Sequence, residues 1–176
     1  MCGICGLWQP SYGRSNERPL DEPTLRAMSD RQAHRGPDDW GAYLNPARRL
    51  GFGFRRLAII DLSPSGHQPM TNEDGSLWIV YNGEIYNYPA LRQELLRAGH
   101  QFRSTSDTEV ILHGYEQWGE GVLRRLRGMF AFALWDERAQ SLLLARDRLG
   151  IKPLHYYWDG KRFAFASEIK SLLALP

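Results

Sequence analysis

Neighbouring pairs of short apolar runs constrain the fold of this chain more than any other feature. Residues 128–135 and 142–146 are apolar runs joined by a polar segment, and the aromatic-rich runs 154–158 and 162–166 are joined by Asp-Gly at 159–160. Runs of this length and composition predict strands, and Asp-Gly is a preferred two-residue hairpin turn. Each pair therefore predicts an antiparallel hairpin.

The rest of the chain adds more strands and three amphipathic helices. Strand signals grouped into neighbours, with the helices collected between them, favour an antiparallel α+β fold over alternating βαβ units. At least seven strands are expected. The additional strand signals lie at the N-terminus and at residues 50–54, 57–60 and 77–81, and the helices are predicted from Asp21 to about Ala33, from Asn87 to Gly99 and from Asp107 to Gly119.

Composition excludes several classes of protein. A length of 176 residues suits one compact domain, and 22 basic residues against 20 acidic ones, spread along the chain, argue against a nucleic-acid partner. No apolar stretch approaches the roughly 18 residues of a membrane span. The N-terminus lacks the features of a signal peptide, and two cysteines are too few for a disulfide scaffold. We therefore expect a cytoplasmic protein with free thiols and no membrane partner.

Cys2 is the sharpest chemical feature. Small residues after an initiator Met permit its removal, which would leave a first residue carrying both a thiol and an α-amine. The reference pKa of an α-amine is about 7.7 to 8.0 and that of a thiol about 8.5, so the amine can accept the thiol proton. With Met1 attached, that nitrogen is an amide. The alternatives are a redox or zinc pair with Cys5, or simple strand packing, which we expect for Cys5 itself.

Asn82 and Gly83 follow an apolar strand directly. In isolation Asn-Gly favours a tight hairpin turn. The functional alternative is an oxyanion hole, in which a side-chain amide and an adjacent backbone N–H bind an oxygen that gains negative charge. The local sequence leaves both readings open.

Two charged residues are candidates for binding the ends of a substrate. Arg56 stands at the start of an apolar run and could hold a carboxylate in a bidentate fork, although Arg55 beside it raises the alternative that one or both are solvated. Asp107 lies in Ser-Asp-Thr-Glu at 106–109, which fits a helix capping box, so its acid could serve the helix dipole alone.

Taken in order, these motifs resemble the class II glutamine amidotransferases, and most closely the N-terminal domain of glutamine-hydrolysing asparagine synthetases. The resemblance spans essentially the whole chain. It implies an N-terminal-nucleophile hydrolase fold, a four-layer αββα sandwich of two antiparallel sheets. The motifs are MCGICG at 1–6, HRGPD at 34–38, RLAIID at 56–61, NGEIYN at 82–87, Ser-Asp at 106–107, GMFAFA at 128–133, RDRLGIKPL at 146–154 and ASEIK at 166–170.

The resemblance also implies a role for each candidate residue. Cys2 would attack the side-chain amide of glutamine to form a glutamyl thioester, while Asn82 and Gly83 hold the oxyanion. Residues 34–38 would order the loop around the site, with an ordinary Gly-Pro turn as the alternative. The substrate-binding residues would be Arg56 for the α-carboxylate and Asp107 for the α-amine, with Ile59, Ile60, Asn82 and Glu84 completing the pocket.

No metal or cofactor is expected for this reaction. Asparagine synthetases continue into a domain that uses ATP and magnesium to activate aspartate, whereas this sequence shows no Ser-Gly-Gly-type pyrophosphate loop before residue 176. We therefore expect glutamine hydrolysis without asparagine synthesis, with the synthetase domain as partner and a homodimer allowed in the full-length form. The alternatives are a class II amidotransferase with another acceptor and a non-catalytic scaffold. Residues 146–154 suit either an interdomain surface or a rigid turn.

Overall fold

The computed structural model describes residues 1–10, 18–58 and 64–175, which form two compact units. The first unit comprises residues 1–57 and 153–176, and the second comprises residues 58–152. The strands are β1 Gly3–Trp8, β2 Asp39–Leu44, β3 Leu50–Arg56, β4 Met70–Thr71, β5 Leu77–Ile85, β6 Gly128–Asp136, β7 Ser141–Arg146, β8 His155–Trp158 and β9 Phe163–Ala166, and the helices are α1 Glu22–Asp30, α2 Tyr88–Arg97, α3 Asp107–Trp118, α4 Val122–Arg125 and α5 Ile169–Leu172.

An antiparallel five-stranded sheet in the order β2-β3-β1-β9-β8 forms the first unit. Helix α1 packs on it through Leu25 and Met28, both fully buried. Asp21 caps this helix as predicted, because its Oδ1 accepts a hydrogen bond of 2.9 Å from the backbone N–H of Thr24. The helix ends at Asp30, three residues before the predicted end, and a short 3₁₀ turn follows at Ala33–Arg35.

A four-stranded antiparallel sheet in the order β4-β5-β6-β7 forms the second unit. Helix α3 packs against β5 and α2, and the core of this unit includes Ile79, Leu95, Ile111 and Phe132. The predicted β6–β7 hairpin is confirmed. None of the helices in the described part of the chain is long and apolar enough to cross a membrane.

Strand β5 corrects the hairpin interpretation of the Asn-Gly pair. The strand continues through Asn82 and Gly83 to Ile85, and both residues pair with β6. A Cβ on Gly83 would lie 2.4 Å from the carbonyl oxygen of Met129, so the glycine is required by the close approach of β6 and not by a turn.

The start of α3 departs from the predicted capping box. Ser106 caps the helix, with its Oγ accepting from Thr108 N–H at 3.2 Å. The carboxylate of Glu109, however, accepts from the backbone N–H groups of Arg103 and Ser104 at 2.7 and 2.8 Å, so it orders the loop before the helix. The N–H of Ser106 is bound by the hydroxyl of Ser104 instead.

Asp147 organises the turn that follows β7. Its carboxylate accepts hydrogen bonds from four backbone N–H groups, at Phe130, Leu149, Ile151 and Lys152. Burial opposes ionisation of the acid, but these four donors outweigh it and lower its pKa below the ordinary value. Since the turn is internally bonded, the structure supports the rigid-turn alternative for residues 146–154. Its tip is apolar and open to solvent, with Leu149 86% exposed.

Replacing Asp147 with Ala is expected to lower the free energy of unfolding by about 1–3 kcal/mol, because four backbone donors at a partly hydrated turn lose their acceptor. Since the folded pKa of Asp147 is lowered, its contribution is present above the ordinary carboxyl range and is lost as pH falls. Urea unfolding at neutral and acidic pH measures both effects. An exposed acid in the same unit, Glu120, provides the control variant Glu120→Ala, and equal stabilities for the two variants would contradict the assignment.

Candidate active site

Cys2 lies immediately before β1, in the first unit. Its Sγ is 3.5 Å from the carbonyl oxygen of Leu57 and 3.4 Å from the backbone nitrogen of the same residue. The antiparallel register, in which Gly3 pairs with Arg55, brings the end of β3 beside Cys2. The thiol is half-buried, so it is held in place and still accessible.

Arg35 fixes the backbone of the same residue. Its Nε donates to the carbonyl oxygen of Cys2 at 3.0 Å, and its Nη1 donates to Oε1 of Glu168 at 3.1 Å. His34 meets the same carboxylate oxygen at 2.9 Å, and Nζ of Lys170 lies 2.9 Å from Oε2. The segment 34–38 therefore orders the residues around Cys2, which favours that interpretation over an ordinary Gly-Pro turn.

Glu168 has no role among the sequence-based predictions. Its ionised form is strongly favoured. Burial opposes ionisation, but the hydrogen bonds from Lys170 and Arg35 and the charge of His34 outweigh it and lower the pKa of Glu168 to about 2. The carboxylate thus holds Arg35 in position across 133 residues of sequence. The available signal was its position in ASEIK at 166–170, among the motifs of the resemblance.

Cys5 is a core residue of β1, as expected. It is fully buried, its Sγ lies 3.6 Å from the carbonyl oxygen of Gly53, and burial raises its pKa to about 12. A thiol with this pKa provides almost no thiolate near neutral pH. Both cysteines are free, and the environment of Cys5 argues against a redox or zinc pair with Cys2.

The two arginines at the end of β3 differ in environment. Arg55 makes an ion pair with Asp30 of α1, and Arg56 is only 8% exposed. Successive residues of a strand point to opposite faces, so the pair cannot serve one purpose. The alternative that both are merely solvated is wrong.

A Cβ on Gly36 would lie 2.6 Å from the carbonyl carbon of Arg56, which explains the glycine in HRGPD.

Asn82 lies in β5 of the second unit and is only 2% exposed. Its side-chain nitrogen Nδ2 is buried and has no hydrogen-bond partner among the residues that the structure describes. Buried amide donors are nearly always paired, so an unpaired one calls for an explanation. Gly83 and Glu84 follow it in the strand, both partly exposed.

Asp107 begins α3 and is bonded to the same strand. Its Oδ2 accepts hydrogen bonds from the Tyr81 hydroxyl at 2.7 Å and from the Ile85 N–H at 2.8 Å. Burial is the largest influence on this acid and raises its pKa, with the charge of Glu84 acting in the same direction, although the two hydrogen bonds oppose the rise. The two hydrogen bonds to β5 show that this carboxylate does more than interact with the helix dipole.

The structure therefore groups the predicted residues within each unit. In the first unit, Cys2 lies beside Leu57, which directly follows Arg56. In the second unit, Asp107 is bonded to the segment of β5 that contains Asn82, Gly83 and Glu84. The predicted pocket residues Ile59 and Ile60 lie outside the described residues. Tyr81 has no role among the sequence-based predictions, and the predicted role of residues 34–38 did not specify the contacts of Arg35, because these contacts depend on distant parts of the chain.

Comparison with protein-family models gives a match over residues 1–176 to a model described as a glutamine amidotransferase domain. Among curated proteins, the chain is 45% identical to asparagine synthetase [glutamine-hydrolyzing] 3 of Bacillus subtilis, over 100% of the chain and 28% of that relative. It is also 41% identical to amidase chry2 of Gibberella zeae, over 99% of the chain and 26% of that relative. The chain thus spans less than a third of the length of these relatives.

Solved structures share the fold. A glutamine phosphoribosylpyrophosphate amidotransferase from B. subtilis matches with a TM-score of 0.78 and 23% identity, over 98% of this chain and 43% of the other. A second structure, described as the allosteric regulatory enzyme of purine biosynthesis, matches with a TM-score of 0.75 and 22% identity over the same shares. The predicted α+β class with two antiparallel sheets is confirmed, and the chain shares its fold with these two structures.

Replacing Glu168 with Gln is expected to lower the free energy of unfolding at neutral pH by about 1–2 kcal/mol, because the Arg35 guanidinium loses its charged partner. The pKa of Glu168 is depressed to about 2 in the folded state, so the contribution is complete above the ordinary carboxyl pKa and is lost as pH falls toward 2. The difference in unfolding free energy between wild type and variant should therefore be constant near neutral pH and should narrow as pH falls from about 5 toward 2. A gap that is constant with pH in urea titrations would contradict this role.

Proposed function

Because the chain belongs to the class II glutamine amidotransferases, we propose that it hydrolyses the side-chain amide of L-glutamine to glutamate and ammonia, with Cys2 as the nucleophile. The observation that carries the proposal is the buried, unpaired amide nitrogen of Asn82. A donor held without a partner, followed by a glycine that the sheet does not allow to carry a Cβ, suits the stabilisation of an oxyanion.

The proposed reaction begins after removal of Met1. The free α-amine of Cys2 accepts the thiol proton, and Sγ attacks the amide carbon of glutamine. The carbonyl oxygen gains negative charge and accepts hydrogen bonds from Asn82 Nδ2 and the N–H of Gly83. The protonated amine returns its proton to the amide nitrogen, ammonia leaves, and a glutamyl thioester remains. Water then cleaves the thioester, which releases glutamate and restores the thiol.

Positioning of the nucleophile falls to Arg35. Its hydrogen bond to the carbonyl of Cys2 restricts the backbone from which the thiol extends, and the backbone of Leu57 restricts Sγ itself. A nucleophile held in one orientation reacts faster, because little conformational entropy is lost when the transition state forms.

We assign recognition of the α-carboxylate and α-ammonium groups of free glutamine to two buried charged residues. Arg56 would bind the α-carboxylate through its guanidinium fork, and Asp107 would bind the α-ammonium through Oδ1, since Oδ2 already holds Tyr81 and Ile85. Glu84 and the backbone of Ile59 and Ile60 complete the proposed pocket. A glutamine within a peptide lacks both charges, so this arrangement favours free glutamine.

We further propose that the ammonia passes to an ATP-dependent synthetase domain that makes asparagine from aspartate, with ATP and magnesium used only there. The relatives named as glutamine-hydrolysing asparagine synthetases support this, and their remaining length leaves room for such a domain. A different acceptor is the second candidate, favoured by the 41% identity to amidase chry2. A cytoplasmic location is proposed on the two free cysteines, which suit a reducing compartment.

Glutamate release from glutamine tests the proposed function directly. Cys2→Ala should abolish it, and Asn82→Ala should lower kcat by about 100- to 1,000-fold with a small change in KM, because the amide acts mainly in the transition state. The matched control is Cys5→Ala, which removes a thiol that burial keeps protonated and should retain activity. Intact mass must confirm removal of Met1 in every sample. An active Cys2→Ala protein would overturn the proposal.

Asp107→Asn separates substrate binding from folding. The single side-chain oxygen of Asn can keep the bonds from Tyr81 and Ile85, so KM for glutamine should rise by the value of one buried ion pair, about 2–4 kcal/mol or about 30- to 1,000-fold. Because burial raises the pKa of Asp107, its ionised form costs folding energy as pH rises, and the variant should be at least as stable as wild type at neutral pH.

The control for this variant is Glu109→Gln, in the same helical turn. Glu109 binds the loop before α3, so its replacement should lower the thermal unfolding temperature while KM stays near the wild-type value. A loss of stability in Asp107→Asn as large as in Glu109→Gln, with unchanged KM, would show that Asp107 has only a structural role.

A further inference from the structure

Two histidines and a glutamate meet in the second unit, and none of the three is assigned to glutamine. His100 follows Gly99, whose φ of 99° ends the segment after α2. His113 and Glu116 lie three residues apart on α3 and therefore share one face of the helix. The two imidazole rings lie with their centroids 5.1 Å apart.

One carboxylate oxygen is the centre of this group. Glu116 Oε2 lies 2.7 Å from Nδ1 of His113 and 3.4 Å from Nδ1 of His100. The ligand atoms of the three residues all lie within 4.8 Å of one another. The second oxygen of the carboxylate, Oε1, accepts a 2.8 Å hydrogen bond from Asn72 Nδ2, which orients Oε2 toward the rings.

The outer nitrogens of both rings face hydrogen-bond acceptors. His100 Nε2 is 3.0 Å from Oε1 of Gln117, and Nε2 of the buried His113 is 3.6 Å from carboxylate oxygens of both Glu109 and Glu73. The 2.7 Å contact between His113 Nδ1 and Glu116 Oε2 is a hydrogen bond through that nitrogen, whereas His100 can carry its proton on Nε2, which faces Gln117. A metal ion here would take the place of the proton on His113 Nδ1, with that ring protonated on Nε2 instead, and would be surrounded by three electron-pair donors, the two Nδ1 atoms and Oε2.

We propose that His100, His113 and Glu116 bind a divalent first-row transition metal of the zinc class through Nδ1, Nδ1 and Oε2. Two imidazoles and a carboxylate suit zinc far better than magnesium or calcium, which take oxygen ligands. Ligands about 2.0–2.1 Å from a tetrahedral zinc lie about 3.4 Å from one another, as His100 and Glu116 already do. Opening the His113–Glu116 pair requires movement of the Glu116 side chain, which is 25% exposed.

The surroundings supply what such a site needs beyond its ligands. Gln117 Oε1 lies 3.0 Å from the outer nitrogen of His100, carboxylate oxygens of Glu109 and Glu73 lie 3.6 Å from that of His113, and Asn72 holds the glutamate, in the way that outer partners orient metal ligands. Water would occupy the fourth position. A metal bound here joins the end of α2 to the middle of α3, the helix that begins with Asp107, so its direct effect is to stabilise that pair of helices.

Zinc titration of the full chain tests the proposal. A Cys2→Ala background removes the thiol as a competing ligand, and protein stripped with a chelator is titrated with zinc sulfate by calorimetry, while thermal unfolding is followed in parallel. One zinc per chain at about micromolar affinity or tighter, with a raised unfolding temperature, is the expected result. Cobalt in place of zinc should give the visible absorption bands of a tetrahedral site.

Variants at the partly exposed ligands identify the site without disturbing the core. His100→Ala and Glu116→Gln should each weaken zinc affinity by at least about tenfold, and both should fold, as circular dichroism can confirm. The control is His155→Ala, a histidine of β8 in the first unit, which should bind zinc as the parent does. Zinc binding that the two ligand variants leave unchanged would overturn the proposal.

The rival cation is a proton shared by His113 and its facing groups, which are Glu73, Glu109, Glu116 and His100. In that case the stripped protein binds no zinc, and the unfolding temperature does not respond to the metal at any pH. That result would also overturn the proposal. Neither readout depends on glutamine hydrolysis, so the metal site and the proposed function fail or stand separately.

Discussion

The central position of β1 is the constraint on which the first unit depends. This strand is hydrogen-bonded to β3 on one side and to β9 on the other, and the N–H of Ile4 is held in addition by the hydroxyl of Ser167 at 3.0 Å. A strand paired on both edges cannot change register without turning every side chain to the wrong face. The backbone of Cys2 is therefore held in position, because this residue directly precedes the strand. Arg35 binds its carbonyl oxygen and Leu57 contacts its Sγ.

Three carboxylates differ in the direction of their pKa shifts because they accept different sets of hydrogen bonds. Asp147 and Glu168 collect enough hydrogen bonds and positive charge to outweigh their desolvation, so their pKa values fall and their charges stabilise the fold. Asp107 has two strong donors on one oxygen, yet burial and the neighbouring Glu84 still raise its pKa. Two of these acids stabilise the fold, whereas Asp107 carries a net penalty for ionisation, and we propose that a substrate ammonium offsets it.

Local pattern predicted most of the architecture and left out contacts made at long range. The helix ends marked by Asp21 and Gly99 follow from local side-chain and backbone geometry. The β8–β9 hairpin was also predicted from local sequence, although its loop covers residues 159–162 and not Asp159–Gly160 alone. The Asn-Gly pair did not form its preferred turn, because pairing along all of β6 overrode local preference.

The candidate site was likewise predicted only in part from the sequence. Its residue types could be named from motifs, but the isolated amide of Asn82 and the bond from Arg35 to Glu168 depend on tertiary packing. Strand β2 was missed as well, since its residues are mostly half-buried and show no clean alternation of apolar and polar side chains.

The anchoring of Cys2 by residues near position 168 has a consequence for the order of events on the ribosome. β1 and Arg35 are synthesised before β9, Ser167 and Glu168, so the strand gains its second paired edge and Arg35 its anion only after those residues have been made. Until then β1 has an unpaired edge, which is prone to non-native association. Cys2 therefore reaches its final setting only after Glu168 has left the exit tunnel, so the nucleophile is positioned only once its sheet is complete.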